Sequence, residues 1–176
     1  MIIYRIAPHW QMDLLELEAA LAQWPFVECA ATQERSWGWA PPRGQAHGLM
    51  AESVGGQWLL RFMVETKVLP GSVLARRVQD KAARIEQETG RKPGKRESRD
   101  LKEEAKLDLL PMAFTKQSAM WVWLDTQARF LVIDTASQGR ADEVASALIE
   151  ALAGLSLALL DTQTSPQAAM AHWLST

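Results

Sequence analysis

The side chains able to do bond-making chemistry are few and scattered. Cys29 is the only cysteine, and His9, His47 and His172 are the only histidines. Protein metal sites draw their nitrogen and sulfur ligands from closely spaced pairs. No histidine stands in such a spacing with Cys29 or with a pair of carboxylates, so no metal is expected. One cysteine excludes an internal disulfide and suits a reducing compartment; with no base beside it, the thiol reads as a small packed hydrophobe. Gly38, Gly44 and Gly48 fit neither a nucleophile elbow nor a phosphate-cradling loop. Asp125 and Asp134 end adjacent predicted strands, where facing carboxylates would suit acid–base work. Aspartate also closes turns, and the turn reading is the one expected here. This inventory points away from an enzyme.

Charge is the stronger signal. The net charge is −2, yet Arg76 to Lys106 holds eleven Lys and Arg against seven Asp and Glu. That segment is +4, leaving −6 for the remainder. Arg77, Lys81 and Arg84 share one face of a predicted helix, as do Arg99, Lys102 and Lys106 on the next. Arg91, Lys92, Lys95 and Arg96 decorate the turn between them, and Arg76 and Lys116 extend the set at its ends. Two readings fit: a surface for an anionic partner, or a solvated hairpin whose cations pair with neighbours such as Asp80, Glu88 and Glu103. Composition does not choose between them. The chain also has 8 Trp. Trp37 with Trp39, and Trp121 with Trp123, each share a strand face by their two-residue spacing. Such stripes can stack on bases, but core packing is the expectation.

The elements that would position these groups follow from pattern. Ile2 to Ile6 is a strand, and Gln11 to Gln23 an amphipathic helix carrying Leu14, Leu17 and Leu21 on one side. A Trp-Gly-Trp strand leads to the Pro41-Pro42 turn. His47–Val54 and Gln57–Thr66 form a hairpin through Gly55-Gly56. Ser72, as N-cap, opens a helix to Glu88 striped with Leu74, Val78, Ala82 and Ile85; Thr89 to Gly94 turns; Glu97 to Leu110 is its partner. Strands Met120–Asp125 and Phe130–Thr135 precede a helix from Ala141 to Ala153 capped by Gly154. A short strand from Leu155 to Leu160 follows, then a helix opened by Ser165-Pro166 and ending at Trp173. The result is an α+β fold with antiparallel hairpins packed with helices. Residues 1–69 and 111–176 are expected to form the core domain, and 70–110 an inserted helical hairpin. No apolar run has the length to cross a membrane: Ala145 to Leu160 is broken by Ser146, Glu150, Gly154 and Ser156. The apolar start is broken by Arg5 and Pro8, so no secretory signal is expected.

The stretches LKEEAKLDLLPMAF (Leu101 to Phe114) and MWVWLDTQARFLVIDTAS (Met120 to Ser137) resemble the bacterial recombination-associated protein RdgC family. That family carries a charged helix ending in Leu-Leu-Pro-x-Ala-Phe, then a Trp-containing strand ending in Asp-Thr. The similarity extends to Tyr4-Arg5, GWAPP (Gly38 to Pro42), KVLP (Lys67 to Pro70) and Glu150 to Leu155, over essentially the whole chain. The resemblance implies a cytoplasmic, nucleoid-associated, homodimeric protein that binds duplex DNA without sequence preference and restrains RecA-driven strand exchange, with no catalysis and no cofactor. The expected contact surface is the Arg76 to Lys106 hairpin with the Thr115-Lys116 turn. Family members are longer, so this chain reads as a short form matching their N-terminal part, able to pair with a full-length member. It also has Met112 where the motif has Arg. The competing expectation is a protein–protein interaction module, or a decoy of the full-length family, that has lost DNA binding.

Overall fold

The computed structural model describes residues 1–45, 47–161 and 164–175. Its elements are β1 (Ile2–Ile6), α1 (Leu14–Leu21), β2 (Arg35–Ala40), β3 (Ala51–Val54), β4 (Gln57–Val68), α2 (Gly71–Thr89), α3 (Lys95–Leu109), a 3₁₀ turn (Leu110–Met112), β5 (Phe114–Asp125), β6 (Phe130–Ile133), α4 (Gln138–Ala151), β7 (Leu157–Leu159) and α5 (Pro166–Ser175). Hydrogen bonding orders the strands β2-β4-β5-β6-β1-β7, with β3 on β4. This is an antiparallel α+β fold. The chain divides into two compact units, residues 1–25, 39–62 and 120–176 in one and 26–38 and 63–119 in the other, so β2, β4 and β5 each contribute to both.

In the first unit the two-residue alternation of the strands sorts their side chains. Tyr4 and Ile6 of β1, Val122 and Leu124 of β5, and Leu131 and Ile133 of β6 are buried. Their register joins Val122 to Ile133, Leu124 to Leu131, and Tyr4 to both Leu131 and Leu159. α1 adds Leu17 and Leu21, one turn apart, and α4 adds Val144 and Leu148 at the same spacing. Asp13 caps α1, its carboxylate accepting the Glu16 N–H while Glu16 accepts the Asp13 N–H. Tyr4 Oη donates to Asp142 at 3.1 Å, tying β1 to α4. Trp39 meets Phe62 edge-on, centroids 5.1 Å apart. Asp125 is a turn residue as expected, its Oδ1 accepting the Gln127 and Ala128 N–H groups.

In the second unit the helical hairpin forms as predicted, with Gly90 at φ 72° ending α2. Leu101 and Ala105 of α3 and Leu110 behind them are buried. No α2 residue reaches full burial; Leu74, Val78, Ala82 and Ile85 are half-buried. Glu65 is the buried charge of this unit, at 2% exposure. The Cys29 N–H donates to its Oε2 at 2.5 Å and Gln117 Nε2 donates to its Oε1 at 3.0 Å. These donors hold its carboxyl below the usual range, the Cys29 N–H first and Gln117 next, against the opposing effect of burial.

Several expectations are corrected. Ser72 does not cap α2: Pro70 occupies that position with no side-chain cap bond, its fixed φ already suited to a helix entrance. α3 begins at Lys95, not Glu97, because the Glu97 carboxylate folds back to accept the Gly94 N–H at 2.8 Å. β3 begins at Ala51 rather than His47. β5 begins at Phe114, so Thr115 and Lys116 lie in a strand, not a turn; the sheet recruits a segment too polar to announce itself. Trp121 and Trp123 are 38% and 40% exposed rather than core, because alternation gives the interior to Met120, Val122 and Leu124. Trp37 is half-buried while Trp39 is fully so. The Gly154 that was to cap α4 lies two residues past the C-cap, Leu152, at φ 71°. Ser165 does cap α5, its Oγ accepting the Ala168 N–H at 3.1 Å.

Candidate nucleic-acid interface

α2 and α3 run antiparallel, and their register decides which basic side chains are engaged. Arg77 Nη2 lies 3.2 Å from Asp108 Oδ2. Lys81 Nζ lies 3.1 Å from both Glu104 Oε2 and Asp108 Oδ2. The pairs 77/108 and 81/104 are symmetric about the Lys92–Pro93 bond, as a hairpin folded at that point requires. Lys81 is held in its charged form by Glu104 first and Asp108 next, and Asp108 is correspondingly driven toward its charged form by Lys81 and Arg77. These pairs bridge the two helices alongside the half-buried Leu74, Val78, Ala82 and Ile85 of α2.

Three further cations are paired. Arg84 Nε meets Glu88 at 3.0 Å one turn on. Arg91 forks onto Glu97 with two bonds of 2.7 Å. With the Gly94 N–H, that fork drives the Glu97 carboxyl down to about 2. Lys106 Nζ is 2.5 Å from Glu34, whose hydrogen bond raises the ammonium's pKa. Of the acids expected as partners Glu88 serves in an ion pair, whereas Asp80 and Glu103 form none among the described residues.

The remaining candidates behave differently. Arg76, Lys92, Lys95, Arg96, Arg99, Lys102 and Lys116 are exposed, and their side chains have no hydrogen-bonding or carboxylate partner among the described residues. On α3, at about 100° per residue, Lys95, Arg99, Lys102 and Lys106 fall within an arc of about 60°. Glu104 and Asp108 lie on the far side, toward α2. The hairpin is therefore electrostatically two-sided, with opposite charges matched along the α2–α3 seam and, on the outer face of α3, Lys95, Arg99 and Lys102 unmatched beside the paired Lys106. An exposed row of unmatched Lys and Arg at helical spacing is suited to a polyanion, where each ammonium or guanidinium meets one phosphate.

The sequence reading grouped both sets as one surface. It missed Glu34, Glu97, Glu104 and Asp108 as partners. The signal for two of them lay in the hairpin's own symmetry; Glu34, far away in sequence, had none. No group of three His, Cys, Asp or Glu side chains able to hold a metal ion occurs among the described residues. No helix of the described residues is long and apolar enough to cross a membrane.

Comparison with known proteins agrees with the sequence resemblance. A family model described as "Putative exonuclease, RdgC" matches residues 1–176. The recombination-associated protein RdgC of Dechloromonas aromatica is 37% identical over 98% of this chain and 56% of its own length. Those of Cupriavidus pinatubonensis and Bordetella pertussis are 39% and 36% identical over 99% and 98% of this chain, and 58% and 57% of theirs. The chain thus spans little more than half the length of these relatives, in an alignment covering nearly all of its own residues. With the family model matched from end to end, the chain belongs to the RdgC family.

Proposed function

We propose that this chain binds DNA without sequence preference through the outer face of α3, and that in this way it modulates homologous recombination by restraining RecA-driven strand exchange. The observation that carries the reading is the set of exposed, unmatched cations: Lys92, Lys95, Arg96, Arg99 and Lys102, with Arg76 and Lys116 flanking them. The relatives' name associates them with recombination. Sequence-independent binding needs charge near phosphates and no base-reading array. Nucleoid association in the cytoplasm and a homodimeric assembly belong to the same proposal. The reading is of a binding protein rather than the exonuclease of the family description. Metal-assisted phosphodiester hydrolysis uses clustered acidic ligands, and of the hairpin's acids Glu88, Glu97, Glu104 and Asp108 are instead paired with cations.

The test is a gel shift on unrelated duplex and single-stranded DNA at several salt concentrations, with mass by sedimentation in parallel. Neutralising about four to six phosphates gives log affinity against log salt a slope of about −4 to −5. Affinity that barely changes with salt would sink the proposal. A monomer mass independent of concentration would remove the dimer from it. Strand exchange by RecA that proceeds unchanged with saturating protein would remove the RecA step.

A further inference from the structure

The first unit carries a basic feature of its own. A cleft of about 290 Å³ opens where the end of β1, the β5–β6 turn and the segment before β7 meet, lined by Arg5, Ala7, Arg129, Ser156 and their neighbours, with no carboxylate among its lining residues. Backbone bonds fix the three segments together: the Ile6 N–H donates to Arg129 O at 3.0 Å, and the Ala7 N–H to Ser156 O at 2.9 Å. Both guanidiniums are oriented without being neutralised. Arg5 rides 5.3 Å over the Phe130 ring centroid and has no carboxylate partner among the described residues. Arg129 reaches Ala7 O through Nη1 at 3.4 Å, leaving its other donors open. The turn's own acid, Asp125, is held by the Gln127 and Ala128 N–H groups and by Gln57 Nε2.

Arg129 is also the one non-glycine residue in the described chain with positive φ, at 60°. Glycine and asparagine adopt that conformation readily and arginine does not. A position with unfavourable backbone geometry that places a large cation on the wall of a cleft is the pattern of a functional side chain. We infer that the Arg5–Arg129 cleft is an anion site for a phosphate group, mono- or diester, in which two guanidinium forks and the Ser156 hydroxyl supply the donors. None of these residues belongs to the α3 surface, so the inference stands apart from the proposed DNA interface.

Amide spectra recorded during titration with inorganic phosphate test it, reading Ala7, Ser156 and Ala158 in the full chain. Saturable shifts are expected, weakened about tenfold or more by Arg5→Gln and by Arg129→Gly, as for one charge-assisted bond each. Arg129→Gly suits the native φ, so the second variant is expected to fold and to melt no lower than the parent. A dinucleotide with and without a 5′-phosphate separates the sources. Shifts with both mark an internal phosphodiester, and shifts with the phosphorylated form alone mark a terminal phosphate. If these amides do not move up to about 10 mM phosphate, ten times a millimolar dissociation constant, the site is absent. Parent-like phosphate binding by both variants would equally overturn the assignment. Loss of phosphate binding with duplex binding intact leaves the α3 interface standing, and the reverse leaves this site standing.

Discussion

The division of the hairpin into matched and unmatched cations predicts that two sets of substitutions act on different observables. Consider the triple variant Lys95→Gln, Arg99→Gln, Lys102→Gln, which removes the three unmatched cations from the outer face of α3 and touches no ion pair. Each lost phosphate contact removes about 0.9 from the salt slope, so three remove about 2.7. A parent slope of about −4.5 means a loss of about 500-fold in affinity between 50 and 200 mM salt; at about −1.8 the variant loses only about 12-fold. Stability should hardly change, within about 0.5 kcal/mol, because the three side chains are exposed and make no hydrogen bond or ion pair among the described residues. Lys95 even sits in the first turn of α3, where a positive charge opposes the helix dipole.

The companion variant Arg77→Gln, Lys81→Gln does the reverse. It strips Glu104 and Asp108 of their partners across the α2–α3 seam, so melting should fall. The salt slope should stay near the parent's, because those charges were already answered within the protein. Thermal melts by circular dichroism and fluorescence anisotropy on a labelled duplex measure both quantities. A triple variant that keeps the parent's slope, or a double variant that shallows it equally, would refute the division between the two faces.

Other consequences are local. Glu65→Gln puts an amide donor against one of two buried donors, Cys29 N–H or Gln117 Nε2, costing about 1–3 kcal/mol and so about 2–12 °C in melting temperature. Because the Glu65 carboxyl is held low, its stabilisation is present above the ordinary carboxylate pKa and lost as pH falls through the depressed one, and the Gln variant should lack that acid limb; identical acid melts would contradict this. The Glu97 carboxyl should titrate near 2 by side-chain NMR and return toward the usual 4.5 in Arg91→Gln; the stability of the α3 entrance is present above 4.5 and lost as pH falls through about 2. Gly90→Ala, which places a Cβ at φ 72°, should destabilise the hairpin by about 1 kcal/mol, read by the melt, whereas a neutral outcome would show that the turn relaxes.

How far the sequence foretells this molecule depends on whether the deciding contacts are near or far along the chain. β1, the Gly55-Gly56 hairpin, the α2–α3 pair and the Ser165 cap were legible because alternation, helical period and cap chemistry act over a few residues. The first half of β5 was not: Phe114 to Ala119 is polar and largely exposed, and it is a strand only because the sheet pairs with it. Trp121 and Trp123 followed the right two-residue period, but period alone does not say which face is covered. At the candidate interface the same limit falls on charge. Counting Lys and Arg finds the hairpin, yet Lys81 is answered by Glu104 across the helical turn and Lys106 by Glu34, with three strands and α2 between them in sequence. Arg91, which looked like a free turn residue beside Lys92, instead forks onto Glu97 and fixes where α3 begins. Neutralising the whole turn together would therefore mix a structural loss with a binding loss. The residues available to an anionic partner are the ones left over when the fold has matched its own charges, and that remainder is a property of the tertiary register rather than of composition.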